Sequence, residues 1–290
     1  MKFDRKIFYS GLRKWWKVIS PSQVEGLNFL LTELERDQAI NLIPEAAYLL
    51  ATPYHETART MLPIREYGKG HGRKYAKVYT FEIGGRVLAV VYYGRGFVQL
   101  TWYDNYLEMN LAIKTNYPVL VADFEARTGE IFNLVYYPDQ ALDPQIAYAV
   151  MSYGMRNGKF GAKLGTHINE GKTDYYNARR SVNILDKAKL IAEYAEKFEG
   201  ILKESLVSSV NDSKVPDNTA QPFTILKIGA KGSAFKKLQT ILADENFLRD
   251  SEIDGIFGNE TRLAVIDYQR QNSLTADGIV GPGTRAKLGI

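Results

Sequence analysis

The chain has 290 residues, 45% hydrophobic and 24% charged; these are ordinary proportions for a folded protein, and the length suits two domains that each bury a core. Lys+Arg 37 against Asp+Glu 33 leaves a formal charge of +4, too small an excess to imply a nucleic-acid partner. There is no cysteine, which excludes disulfides, thiol nucleophiles and Cys-ligated zinc.

The opening MKFDRKIFYSGLRKWW lacks the apolar core of an export signal. No later stretch reaches the roughly 18 apolar residues of a membrane span. A cytoplasmic chain is therefore expected. Val24, Leu27, Leu30, Leu31 and Leu34 recur at helical spacing behind Ser-Pro-Ser and predict a helix over Ser22 to Leu34. A second helix is expected from Pro44 to Glu56, with a kink or break at Pro53, which removes a backbone donor. Between Arg73 and Tyr93 the pattern becomes strand-like, and Gly84-Gly85 marks a two-residue hairpin turn. Helices follow over Pro144 to Arg156 and Asp174 to Leu206. Residues 1–206 thus read as a mainly α domain with a small β-hairpin.

The polar, Pro-containing stretch 207–222 reads as a linker. Residues 223–290 form a second unit with an internal echo, D-G-I-x-G-x-x-T-R from Asp254 and again from Asp277. The physical content of the echo is turn chemistry, so Asp254 and Asp277 are expected to shape loops. Asn259 suits the start of one helix and Pro282 the first turn of the last. The segments LKIGAKGSAFKKLQTIL, DGIFGNETRLAVIDYQRQNSLTADGIVG and TRAKL look like the small three-helix peptidoglycan-binding domain of many wall hydrolases.

Two segments of the first domain hold groups that a core would not choose. His55-Glu56-Thr57 ends an otherwise apolar helix, where burial would raise the pKa of Glu56 and suit it to general-acid work. A solvated glutamate at a helix end is the alternative. The second segment, YYGRGFVQLTWYDNY, sets Arg95, Gln99, Thr101 and Asn105 among aromatic rings and flexible glycines, a composition suited to a sugar-binding wall.

Together, HETARTMLPIREYGKG, YYGRGFVQLTWYDNY and ARRSVN resemble the family-19 chitinase-like glycoside hydrolases, and most of all their endolysin-type branch from bacteriophages and prophages. The resemblance runs across most of Ser22 to Leu202. It implies a lysozyme/chitinase-like α-helical domain and hydrolysis of a β-1,4 glycosidic bond of bacterial peptidoglycan, with inversion and without cofactor or metal. By the same resemblance Glu56 is the general acid, Glu66 the base and Thr101 the residue that holds the attacking water. Arg95, Gln99, Asn105 and Asn183 bind substrate, and Arg95 could instead brace a catalytic carboxylate. An inverting pair needs roughly 6.5 to 9.5 Å between its carboxyls, and Pro63 between Glu56 and Glu66 lets the chain turn towards a cleft. Glu82 and Asp104 are the rival bases. The family's usual glycine after H-E-T is replaced by Ala58 and Arg59.

A chitinase acting on N-acetylglucosamine polymers and a peptidoglycan amidase or peptidase are the alternative enzymes. His55, His71 and His167 form no H-E-x-x-H pair, so a zinc site would have to be scattered. The chain is expected to be a monomer that meets the wall after release by a holin.

Overall fold

The computed structural model describes residues 1–207, 233–245, 247–272, 274, 280 and 282–289. The chain divides into two compact units, Met1–Val210 and Asn211–Ile290, and is mainly helical.

The first unit opens with α1 (Arg5–Trp15) and α2 (Pro21–Arg36). A reciprocal cap starts α2: Gln23 N donates to Ser20 Oγ at 3.2 Å, and Ser20 N donates to Gln23 Oε1 at 2.8 Å. Next comes α3 (Ile43–Glu56), buried without interruption from Ala46 to Tyr54, as befits a central helix. The break expected at Pro53 does not occur. Pro53 sits in the last turn, so the cost is confined to a single carbonyl, that of Leu49. Aromatic packing fixes the same turn, with Tyr54 stacked on Trp16 at 4.8 Å and edge-on to Tyr194 at 4.7 Å.

Thr57 then ends the helix. Its N–H and hydroxyl both donate to Pro53 O, at 3.0 and 2.7 Å, and its Oγ1 accepts from Met61 N at 3.1 Å. The chain reverses through Ala58 (φ 49°), Arg59 (φ 68°) and Met61 (φ 60°), all left-handed and none glycine. A left-handed L-residue costs about 1–2 kcal/mol, part of which a glycine returns as unfolded-state entropy. Ala58→Gly is therefore expected to stabilise the protein by up to about 1 kcal/mol, seen as a thermal midpoint higher by a few degrees. A lower midpoint would show that the alanine methyl contributes packing there.

Beyond the reversal come β1 (Ile64–Arg65), β2 (Val78–Ile83), β3 (Arg86–Val91) and β4 (Arg95–Gly96). β1 pairs with β4 and β2 with β3, both antiparallel. In the β2–β3 hairpin Ile83 opposes Arg86, and Gly84 (φ 58°) and Gly85 (φ 74°) make the two-residue turn with both φ positive. Most tyrosines near the hairpin are core: Tyr79 stacks on Tyr103 at 4.8 Å and Tyr92 packs on Tyr106 at 5.1 Å.

Helices α4 (Tyr103–Asn116), α5 (Pro118–Thr128) and α6 (Pro144–Arg156) follow, α6 capped by Asp143, whose side chain accepts from Gln145 N and Ile146 N. β5 (Ile168–Asn169) and β6 (Lys172–Thr173) form a small antiparallel hairpin. The single helix expected over Asp174 to Leu206 is in fact two, α7 (Tyr175–Ala178) and α8 (Ala188–Ser205). Between them lie a 3-10 turn, Arg179–Ser181, and a loop ending at Lys187 with φ 54°. Apolar spacing continues through this interval, but Asn183 turns its Oδ1 to Ile184 N at 2.8 Å, a local bond that competes with helix. At the end of α8, Val207 N donates to Lys2 O at 2.9 Å and Asp4 N to Ser205 O at 2.7 Å, tying the unit's two ends together.

In the second unit the described helices are α9 (Ser233–Asp244), α10 (Asn259–Gln271) and α11 (Pro282–Leu288). Phe235, Leu238, Leu242, Phe257, Val265 and Tyr268 are buried together. Gln239, 1% exposed, organises the Asp254 loop. Its Nε2 donates to Asp254 Oδ1 at 2.9 Å and to Thr261 Oγ1 at 2.9 Å, and its Oε1 accepts from Gly255 N at 2.7 Å. Asp254 thus has a loop-shaping role, reinforced by Ile256 N at 2.8 Å. Gln269 Nε2 donates to Thr284 Oγ1 at 3.0 Å, so the echo in sequence is accompanied by a buried glutamine in each half. Asp277 and nearly all of the expected linker lie outside the described residues. Among the described residues no helix is long and apolar enough to cross a membrane.

Candidate active-site cleft

The end of α3, the loop before α4 and the Arg179–Lys187 loop meet around a cleft of about 630 Å³. Its lining includes Glu56, Tyr75, Gln99, Thr101, Trp102, Asn105, Phe160, Arg180 and Asn183. Five of the seven residues named from sequence therefore share one wall system, although they come from three separated segments. Glu66 and Arg95 do not line it.

Glu56 is held by a residue that sequence reasoning passed over. Arg179 Nη1 donates to Glu56 Oε1 at 2.6 Å, and Arg179 Nε donates to Asp186 O at 2.9 Å. The arginine is 2% exposed and the glutamate side chain 16%. The expected apolar surroundings are thus replaced by a buried guanidinium that fixes the carboxylate's rotamer and leaves its other oxygen to the cleft. The A-R-R-S-V-N segment held the only hint. Among the described residues the His55 ring beside it has no hydrogen-bond partner; burial lowers its pKa, the nearby Glu56 charge opposing.

Glu66 lies just behind the cleft wall. Its Oε1 accepts from the Tyr75 hydroxyl at 2.5 Å and its Oε2 from Gly94 N at 3.0 Å. Burial, then the contact with Glu66, pushes the Tyr75 phenol up to about 12, so it remains a proton donor at neutral pH. Tyr75 also meets Trp102 edge-on at 5.5 Å, and Trp102 is 48% exposed at the cleft. An exposed ring of this kind offers a stacking face to a sugar. Neither rival base lines the cleft: Glu82 is exposed on β2 and Asp104 on α4.

The GRGFVQLT segment does two different jobs. Thr101 donates its hydroxyl to Gln99 O at 2.6 Å and Asn105 Nδ2 donates to Thr101 O at 2.9 Å, which fixes both on the cleft wall. Gln99, with φ 52°, spends its amide N–H groups on Ile64 O and Gly96 O, both at 3.1 Å, bracing the loop against β1. Gly96 is required sterically, since a Cβ there (φ 83°) would lie 2.9 Å from Ala141 O, whereas one on Gly94 would lie 2.8 Å from Gln99 Oε1 and push that side chain aside.

Arg95, expected to bind substrate or brace a catalytic carboxylate, lies outside this cleft, and its carboxylate partner is Asp139 and neither Glu56 nor Glu66. It is 4% exposed and pairs through Nε with Asp139 Oδ1 at 2.6 Å. Its Nη1 donates to Val91 O and Tyr93 O at 3.1 Å and to the Tyr106 hydroxyl at 3.2 Å. The guanidinium also stacks over the Tyr93 ring at 3.6 Å. It is a structural knot that joins β4, the hairpin and α4. Its charge is matched by a carboxylate that the sequence reading had not singled out.

Among the described residues no three His, Cys, Asp or Glu side chains converge in a manner that could hold a metal ion.

Residues 231–288 match the family model described as "Putative peptidoglycan binding domain". The chain is similar to a probable N-acetylmuramoyl-L-alanine amidase of Bacillus licheniformis, 34% identical over 99 residues, covering 34% of this chain and 28% of that protein. It is also similar to a second N-acetylmuramoyl-L-alanine amidase of that organism, 39% identical over 90 residues, 29% of this chain and 25% of the other. A spore cortex-lytic enzyme of Halalkalibacterium halodurans is 39% identical over 72 residues, 24% of this chain and 22% of that one. The chain thus spans only about a quarter of the length of these curated relatives. No solved structure matches it.

Proposed function

We propose that the chain is a peptidoglycan hydrolase, with a glycosidase of lysozyme/chitinase-like fold in the first unit and a three-helix wall-binding module in the second. The observation that carries the glycosidase reading is the cleft itself, which Glu56, Gln99, Thr101, Asn105 and Asn183 line together with an exposed tryptophan. The wall-binding reading rests on the family match of residues 231–288 and on relatives named as wall enzymes.

In the proposed mechanism the acid form of Glu56, with its proton on the oxygen that Arg179 does not bind, gives that proton to the glycosidic oxygen as the bond to the anomeric carbon breaks. Arg179 positions that carboxyl and does not itself touch the sugar. Water held by Thr101 attacks the opposite face of the ring; the Tyr75 hydroxyl takes its proton and passes its own to Glu66. Glu66 lies behind the cleft wall and communicates with the cleft through Tyr75, which lines it and whose hydroxyl donates to Glu66. Asn105 and Asn183 hydrogen-bond the acetamido and hydroxyl groups of the chain, and Trp102 stacks on a ring. In this reading the protein is a monomeric phage or prophage endolysin that accumulates in the host cytoplasm and reaches the wall through a holin.

A second reading is favoured by the names of two relatives: cleavage of the amide between muramic acid and the peptide, as in N-acetylmuramoyl-L-alanine amidases. Mass analysis of digested sacculi separates the two. Glycan cleavage yields new reducing ends at muramic acid or at glucosamine, with peptides still attached. Freed peptides without new reducing ends would reject the glycosidase reading in favour of the amidase.

A further inference from the structure

We infer that the cleft takes a glycan carrying carboxylates, and that Arg180 is the residue that reads them; the inference rests on the glycosidase reading above and adds the chemical class of its substrate.

The cleft lining contains two charged residues, Glu56 and Arg180. The charge of Glu56 is already matched by Arg179 at 2.6 Å, and Arg179 is too deeply buried to meet a ligand. Arg180, next in the chain, is exposed. Both belong to one 3-10 turn, in which successive side chains diverge by about 120°, so an inward Arg179 sends Arg180 to the surface. Among the described residues Arg180 has no carboxylate partner; its guanidinium donates through Nε to Asn177 Oδ1 at 3.3 Å, a neutral group. Asn177 is itself held by Asp174, whose charge is taken up by Lys172 at 3.3 Å. The backbone of Arg180 is tied across the cleft rim by Ala162 N, which donates to Arg180 O at 2.8 Å.

Arg180, a cleft-lining residue whose main chain is fixed by Ala162 and whose guanidinium keeps N–H donors beyond Nε, therefore borders a groove whose other charged group is already paired. A polymer of N-acetylglucosamine alone is uncharged and gives such a group nothing to bind beyond hydroxyls. A strand containing N-acetylmuramic acid carries a carboxylate on its lactyl ether, or, where that carboxyl is amidated, carboxylates on the attached peptide. Either is a partner for a planar bidentate donor.

The test compares the full chain with its Arg180→Gln and Arg180→Lys variants on three substrates: peptide-bearing glycan strands, strands stripped of peptide so that lactyl carboxylates are free, and neutral N-acetylglucosamine hexamer. Reducing-end release gives kcat/KM for each. For Arg180→Gln the ratio of kcat/KM on a carboxylate-bearing strand to that on the neutral hexamer should fall about tenfold, with Arg180→Lys between it and the parent. The strand that suffers identifies which carboxylate is read. An unchanged ratio on both strands would overturn the inference, whatever happens to the absolute rates. If the parent chain releases no reducing ends from any substrate, the glycosidase reading fails separately. Titration calorimetry with the same three glycans then decides the inference: a preference for charged strands that Arg180→Gln abolishes upholds it, and equal affinity for all three overturns it.

Discussion

A Glu56→Gln variant should keep its fold and lose glycan cleavage by a hundredfold or more. The carbonyl of the glutamine can still accept from Arg179 Nη1, so the buried guanidinium keeps a partner, and the Thr57 bonds that end α3 are untouched. What disappears is the transferable proton. General-acid assistance contributes on the order of 10²–10⁴ in rate, and among the described residues no other carboxylic acid lines the cleft to replace it. Clearing of wall suspensions and reducing-end release would fall together, while circular dichroism stayed unchanged. Full retained activity in a folded variant would remove Glu56 from the mechanism. A loss of helicity would instead show that the ion pair with Arg179 holds the helix end.

Arg95→Met should act on stability and not on substrate affinity. The side chain is 4% exposed and joins Asp139, two main-chain carbonyls and the Tyr106 hydroxyl. Methionine keeps much of the volume but leaves the carbonyls of Val91 and Tyr93 without this donor. Asp139 is half exposed and keeps Arg65, so the loss is mainly that of the donor to the buried acceptors, about 1–3 kcal/mol, equivalent to a fall of several degrees in the thermal midpoint for a unit of this size. A raised KM at an unchanged midpoint would return Arg95 to the substrate. The acid dependence offers a second check. Burial works to raise the Asp139 pKa, but hydrogen bonds from Arg65 and Arg95 outweigh it and hold the carboxyl below its ordinary value. The resulting stabilisation is present above the ordinary carboxylate pKa of about 4 and is lost as the pH falls through the lower folded-state value. In Arg95→Met that part of the acid destabilisation should shrink, with only Arg65 left to sustain it.

Much of the architecture could be read from local chemistry. The helices α2, α3 and α6 are set by apolar residues at 3.6 spacing with Ser, Pro and Asp at their starts, and the hairpin by Gly84-Gly85, because two successive positive φ values call for glycine. Those signals act over a few residues, and the fold respects them. The sequence reading erred where two local preferences competed. Apolar spacing carries through Ile184 and Leu185 as if α7 and α8 were one helix, yet the Asn183 side chain accepts from Ile184 N and Lys187 turns left-handed, and packing around Arg179 selects the break.

The cleft divides in the same way. Glu56, Thr101, Asn105 and Asn183 could be picked out from sequence because their segments resemble the motifs of a glycoside hydrolase family. Which arginine serves which carboxylate could not. Arg95, Arg179 and Arg180 are chemically identical, and Arg179 meets Glu56 across 123 positions of chain. Only the three-dimensional path buries Arg95 against Asp139, turns Arg179 inward to Glu56 and leaves Arg180 at the cleft. Sequence by itself determined the local elements and the inventory of reactive groups, since these depend on neighbours along the chain. The tertiary structure decided burial and charge pairing, because both depend on what distant segments bring within a few ångströms.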